Sequence, residues 1–175
     1  MKKEGILKPV IVLTLIAVIC GGGVAAVNAL TGPVIAAAEQ AAAEQARIEL
    51  LPQAEAFEPI ELSQEQKAAT GAIEAYRAEG GNGYVVTVES RGYGGAIRIM
   101  VAVSPEGKLV NARVMSHEET TGVGTKATGE EYLSRYQDKT GEEAAKMDTV
   151  TGATVSSKAV RKALTGALEL CAQLD

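Results

Sequence analysis

Tyr84-Val85-Val86-Thr87-Val88-Glu89-Ser90 alternates as a half-buried strand does, and Ile97 to Val103 and Leu109 to Met115 read as further strands soon after it. The joins are turn-rich: Gly92-Tyr93-Gly94-Gly95 first, then Ser104-Pro105-Glu106-Gly107-Lys108. Consecutive strands joined this closely predict an antiparallel meander, because a parallel return needs a long crossover. Downstream, Glu130 to Tyr136 reads as a short helix and Val155 to Leu174 as a long one. In the long helix Val160, Leu164, Ala167, Cys171 and Leu174 recur at spacings of four and three, so they share one face. Strands grouped together and followed by helices predict an α+β fold, an antiparallel sheet packed with helices.

Toward the N-terminus the composition changes. Val10 to Val27 is an uncharged run of 18 residues; as a helix it measures about 27 Å, close to the ~30 Å hydrocarbon thickness, and continuing to Leu30 closes the gap. Pro9 suits a first helical turn. Lys2, Lys3 and Lys8, with only Glu4 opposing them, predict a cytoplasmic N-terminus in the cell (inner) membrane and everything after Leu30 outside. Val27-Asn28-Ala29 resembles a signal-peptidase site, but the apolar core of a cleaved signal is ordinarily shorter than this run, so a retained single-pass anchor is expected. Thr31-Gly32-Pro33 punctuates its end. Val34 to Leu51 is alanine-rich, with AAAEQ repeated from Ala36 to Gln45, and predicts a helical stalk ended by Pro52. Phe57-Glu58-Pro59 reads as irregular linker, and Ser63 to Ala78 as a second helical segment opened by a Ser63–Gln66 capping box, with extended or loop structure over part of it as the alternative. The expected organisation is a cytoplasmic N-terminus and anchor over residues 1–31, a stalk and linker over 32–79, and an extracytoplasmic domain over 80–175.

Several function classes fall away on composition. Beyond Leu30 there are 14 basic and 21 acidic residues, which excludes the basic stripe of a nucleic-acid binder and argues against lying flat on anionic lipid. Cys20 falls in the span and Cys171 on the apolar face of the last helix, so no disulfide framework is implied. His117 is the single histidine, and no metal site is expected. Gly122-Val123-Gly124-Thr125-Lys126 lacks the spacing of a phosphate-binding loop, and the glycines at 92–95 lack that of a dinucleotide fingerprint. No nucleophile setting appears, so no catalytic residue is assigned.

The chemistry concentrates in Asp148-Thr149-Val150-Thr151-Gly152-Ala153-Thr154, immediately before the long helix. A helix start presents unpaired N–H groups and the positive end of the macrodipole, which favour a phosphate. Gly152 and Ala153 carry almost no side chain, leaving Thr154 open to close approach. Asp, Ser, Thr and Gly are equally the ordinary residues of helix starts, so this stretch by itself also fits a ligand-free cap.

The spelling D-x-x-T-G-A-T resembles the flavinylation motif of the FMN-binding domain family. More of the chain resembles the G subunit of the Rnf electron-transport complex, which contains that domain. Gly92-Tyr93-Gly94-Gly95 with the hairpin through Lys108 is similar to its GYGG segment. His117-Glu118-Glu119-Thr120-Thr121-Gly122-Val123-Gly124 is similar to its H-x-E-T-P-G-L-G loop, with Thr121 for the usual Pro and Val123 for the usual Leu. Asp148 to Ser157 follows its V-D-x-x-[ST]-G-A-T-x-[ST]-[ST] run, with Met147 for Val.

The resemblance implies a covalent FMN, esterified through its phosphate to Thr154 by a flavin transferase that uses FAD. It further implies that Asp148, Thr151, Gly152 and Ala153 shape the turn that presents the hydroxyl, while Glu119, Thr120, Gly122 and Gly124 belong to a loop packing over the flavin. The function so implied is an electron-carrying subunit of a membrane ion-translocating ferredoxin:NAD⁺ oxidoreductase, partnered by the other Rnf subunits and without turnover of its own. The alternatives are the C subunit of Na⁺-translocating NADH:quinone reductase, another FMN-domain electron carrier, and a flavin-free anchored scaffold.

Overall fold

The computed structural model describes residues 4–174 and divides into two compact units, with the boundary between Ala42 and Ala43. Lys2 and Lys3, on which the orientation expectation partly rests, lie outside the described residues.

The first unit is the greater part of one helix, α1 (Glu4–Leu50). The sequence led us to expect an end near Thr31-Gly32-Pro33; instead α1 runs through Pro33 and stops before Pro52. The surrounding alanines are strong helix formers and outweigh one glycine and one proline. A helix of 47 residues is about 70 Å long, more than twice the hydrocarbon thickness. No Asp, Glu, Lys or Arg occurs between Lys8 and Glu39, and the helix is long and apolar enough to cross a membrane. Thr14 and Thr31 donate their hydroxyls to the carbonyls of Val10 and Val27, at 2.8 and 3.0 Å. Both polar groups are thereby satisfied within the helix, as a bilayer requires.

The second unit holds a five-stranded antiparallel sheet in sequential order: β1 (Phe57–Ile60), β2 (Ala72–Ala78), β3 (Tyr84–Arg91), β4 (Ala96–Val103) and β5 (Leu109–His117). The α+β architecture and the β3–β4–β5 meander match the expectation. Two further strands arise in the segment read as stalk and linker. Phe57-Glu58-Pro59 forms edge strand β1, the one place in a sheet where a proline lacking an N–H is easily accommodated. Ser63 does open a helix, α2 (Gln64–Thr70), with both capping-box bonds present: Gln66 N–H to Ser63 Oγ at 3.2 Å and Ser63 N–H to Gln66 Oε1 at 2.9 Å. That helix ends at Gly71, whose φ of +75° caps it, and Ala72–Ala78 pairs with β3 as a strand. Its alanines, glutamate and arginine favour helix locally, but pairing on both sides overrides so weak a preference.

Both sheet faces are covered. Val86, Val88, Ile97, Ile99 and Val101 pack beneath the long helix α6 (Thr154–Leu174), with Val160, Ala163, Leu164 and Ala167 facing them. On the opposite face Val85, Met100 and Ala102 meet Ala46, Leu50, Leu51 and Ala54. This second layer explains why Tyr84 to Val88 is buried at every position although its sequence alternates. Three short helices, α3 (Thr125–Thr128), α4 (Glu130–Ser134) and α5 (Gly141–Ala145), link β5 to α6. Cys171 is buried on the inner side of α6 and Cys20 is exposed on α1; neither is joined in a disulfide.

Candidate functional site

Three segments converge at the start of α6. The first precedes the helix. Ala153 N–H reaches Val150 O at 3.0 Å and closes a tight turn, in which Gly152 takes φ of +83°. That is the third position of a turn that demands glycine. Ser157, fully buried one turn into α6, locks it. Its Oγ accepts from Val150 N–H at 3.0 Å and donates to Ala153 O at 2.8 Å, beside its own backbone bond to the same carbonyl.

Further upstream the irregular segment that leads into the turn is held by two side chains. Arg161 donates to Met147 O at 2.7 Å, and Tyr132 donates its hydroxyl to Asp148 O at 3.1 Å. Because Tyr132 spends its one proton there, the 2.9 Å contact between Tyr132 and Tyr136 hydroxyls has Tyr136 as donor. The two rings meet edge to face and are buried, and burial pushes the Tyr136 hydroxyl well above the usual tyrosine range, with its hydrogen bond to Tyr132 adding to the shift.

Thr154 is exposed at the first position of α6, with Thr151 and Gly152 exposed beside it and Ala153 buried beneath. Ser157 is the first residue whose amide enters the helical ladder. The N–H groups of Thr154, Val155 and Ser156 precede it, so the positive end of a 21-residue helix lies beside the Thr154 hydroxyl.

The second and third segments are the β3–β4 turn and the loop after β5. In the turn, Gly92 N–H bonds Gly95 O at 2.8 Å. In the loop, the Thr120 carbonyl gathers the amides of Val123, Gly124 and Thr125 at 3.2, 3.0 and 3.4 Å, while Gly122 N–H reaches Thr125 Oγ1 at 2.9 Å. Glu119 joins everything. Its Oε1 accepts from Tyr93 N–H at 2.8 Å and Gly94 N–H at 3.3 Å, and its Oε2 from Ser156 Oγ at 2.7 Å. His117 Nδ1 accepts the Glu119 amide at 3.2 Å.

The residues singled out from sequence are therefore brought together, with roles the sequence did not specify. Asp148 takes part through its backbone carbonyl, and its exposed side chain points away from burial. Gly124 makes room for a glutamate: a Cβ there would stand 2.1 Å from Glu119 Oε2, and one on Gly92 would stand 1.9 Å from Oε1. Ser156, Ser157, Tyr132, Tyr136 and Arg161 were not assigned to the site from sequence. Only the i, i+4 spacing of the tyrosines and the adjacency of the serines to the motif hinted at them. Among the described residues no group of three or more His, Cys, Asp or Glu could hold a metal.

Comparison with known proteins bears on the same segments. Residues 92–169 match the FMN-binding domain family, a span that opens at the β3–β4 turn and ends within α6, and residues 1–50 match the RnfG N-terminal region. The G subunit of the proton-translocating ferredoxin:NAD(+) oxidoreductase complex of Clostridium ljungdahlii is 33% identical over 169 residues, covering 90% of this chain and 86% of its own. The G subunit of the ion-translocating oxidoreductase complex of Methanosarcina acetivorans is 31% identical, covering 72% and 73%. The G subunit of the Na(+)-translocating ferredoxin:NAD(+) oxidoreductase complex of Acetobacterium woodii is 26% identical, covering 74% of each. The chain belongs to the family of G subunits of the Rnf ion-translocating oxidoreductase complexes, with an FMN-binding domain over residues 92–169.

Proposed function

We propose that this chain is the electron-carrying subunit of a membrane ion-translocating ferredoxin:NAD⁺ oxidoreductase and holds FMN as a phosphoester of Thr154. The observation that carries the proposal is an exposed threonine hydroxyl on the first turn of a long helix, beside unpaired amides, inside a matched FMN-binding domain. The residues present fit the group. A phosphate on Thr154 Oγ1 meets the positive helix end, and the space beside Gly152 is open to 4 Å. The Glu119 carboxylate is buried and held by two amides and the Ser156 hydroxyl, so it is turned away from the exposed Thr154 surface. Tyr93, Val123 and Val155 are large apolar side chains left exposed on the three converging segments, a suitable lining for a planar ring.

Bound flavin supplies one- and two-electron transfer, and the protein's part is to fix and orient it. Attachment by a flavin transferase joins Thr154 Oγ1 to the FMN phosphorus of FAD. The pyrophosphate bond breaks, AMP leaves, and the hydroxyl proton is released. An ester keeps the cofactor on a domain facing away from the cytoplasmic flavin pool. Lys2, Lys3 and Lys8 support that orientation, with a single span and the domain on the extracytoplasmic side. With no Asp, Glu, Lys or Arg between Lys8 and Glu39, α1 is an anchor and supplies no ion path. The two relatives named for different coupling ions fit that reading, since the ion is then chosen elsewhere in the complex. The other Rnf subunits are the partners, and the isolated chain turns over no substrate.

The test is coexpression of the full chain with a flavin transferase, followed by a denaturing gel viewed under ultraviolet light and fragmentation of the peptide containing Thr154. A fluorescent band carrying the FMN mass on Thr154, lost in Thr154→Ala, is the expected result. Fluorescence that persists after denaturation of Thr154→Ala refutes the assignment, and an unlabelled parent leaves the flavin-free scaffold standing.

A further inference from the structure

We infer that Glu119 is the positioning residue that makes Thr154 a competent flavin acceptor, by clipping the β3–β4 turn and the loop after β5 onto the first turn of α6. The inference rests on the reading of Thr154 as the flavinylated residue. Glu119 is 7% exposed, and none of its hydrogen-bond donors is a cation: they are two backbone amides and one serine hydroxyl. A buried carboxylate is expensive compared with an apolar contact of the same size. What a carboxylate offers in return is a planar fork whose two oxygens accept in different directions. Here one oxygen faces a hairpin 26 residues earlier and the other a helix 37 residues later. Glycines at 92 and 124 leave the space it fills.

The link to Thr154 is geometric. Residues two apart on a helix point about 200° apart around its axis. Pinning Ser156 inward through Glu119, with Ser157 pinned inward by Val150 and Ala153, fixes the rotation of the first turn. Thr154 is then directed outward, as its exposure shows. The positive end of α6 compensates the carboxylate charge in the absence of a cation among its donors. Without the clip the first turn can rotate or fray, and the hydroxyl no longer holds one direction for the transferase.

The experiment compares the full-length parent, Glu119→Ala, Glu119→Gln and Ser156→Ala, each coexpressed with the transferase and purified in detergent. Flavin fluorescence per protein is read on a denaturing gel, and visible circular dichroism on the folded material. Glu119→Ala is expected to be labelled roughly tenfold less in a fixed short induction, as a misdirected acceptor should be. Glu119→Gln is expected within about twofold of the parent, because its Oε1 still accepts from the turn and its Nε2 donates to Ser156 Oγ. Ser156→Ala, which removes only the helix arm of the clip, is expected to fall below Glu119→Gln and to alter the visible dichroism of whatever flavin is attached; it carries the test if Glu119→Ala accumulates poorly. Parent-like labelling and dichroism in Glu119→Ala, or in Ser156→Ala, overturns the inference. So does an equal loss in Glu119→Gln, which would assign the effect to charge and not to the clip. An unlabelled parent instead sinks the Thr154 reading, and this inference with it.

Discussion

Replacing Ser157 by alanine separates the architecture of the Thr154 turn from the chemistry of its hydroxyl. Ser157 is fully buried and its Oγ serves two backbone groups, accepting from Val150 N–H and donating to Ala153 O. Alanine leaves the Ala153 carbonyl its bond from Ser157 N–H, which does not depend on the side chain. The Val150 amide, however, is left facing a methyl group. Val150 is only partly buried, so its amide without a partner costs about 1–2 kcal/mol, the lower part of the range for a buried donor, and the small volume lost adds a fraction of that. Taking about 2 kcal/mol, and about 3–5 °C per kcal/mol for a unit of this size, the melting temperature should fall by roughly 6–10 °C. Thr154→Ala is the control: its side chain is exposed, and its stability should stay within about 0.5 kcal/mol of the parent. Both variants are prepared without the transferase, so that no bound flavin contributes, and are melted as full chains in detergent by near-ultraviolet circular dichroism. Equal melting of Ser157→Ala and parent would refute the reasoning, because the turn would then not depend on the hydroxyl that bridges it.

Other outcomes follow from the packing around the site. Gly166→Ala sets a helix-propensity gain of about 1 kcal/mol against an overpacking cost of about 1–3 kcal/mol. Its Cβ would stand 2.3 Å from the Thr70 carbonyl oxygen, a backbone atom that cannot swing aside, so the denaturation midpoint should fall despite the better helix former. Ser63→Ala removes half of the capping box of α2 and should cost about 1 kcal/mol by the same denaturation measurement. The Tyr136 hydroxyl has its folded pKa raised by burial, so the unfolded chain loses that proton first. Its stabilisation is complete below about pH 10 and declines as pH rises beyond that value. The denaturation midpoint of the parent should therefore drop more steeply between about pH 9.5 and 11 than that of Tyr136→Phe, which keeps the ring and removes the titration.

Much of the sheet and the final helix could be read directly because their patterns are local. The alternation from Tyr84 to Ser90, the glycine turn after it, and the spacing of Val160, Leu164, Ala167 and Cys171 each report a buried face without help from distant residues. Ala72–Ala78 was illegible for the opposite reason. Its composition favours helix, and what makes it a strand is a left-handed Gly71 and hydrogen-bond partners on β1 and β3. The same holds for Phe57–Ile60, whose proline reads as a break until an edge position is available to hold it. At the site, the motif before α6 marked the glycine turn and the helix start that opens at Thr154. The direction of Glu119 could not be read, because a glutamate beside glycines in a loop looks solvent-facing until the hairpin it grips is in place.

That last point changes how the glycines should be understood. The family resemblance implies that Gly124 and its neighbours belong to a loop covering the flavin. In the folded chain, Gly92 and Gly124 flank one buried carboxylate, at distances no Cβ could share with it. The loop, the turn and the helix start are thus one construction, in which small residues are required by the protein's own glutamate. Substituting either glycine should then resemble loss of the clip and not loss of a ligand contact. Gly124→Ala would force Glu119 aside, release Ser156, and unfasten the first turn of α6 although nothing near Thr154 itself had been altered. On the proposed reading of Thr154 as flavin acceptor, its hydroxyl is directed by a side chain 35 positions earlier in sequence and is presented only once the sheet has formed. Flavin attachment to the full chain is therefore expected to follow folding, with urea-unfolded chain a poor substrate for the transferase and refolded chain a good one.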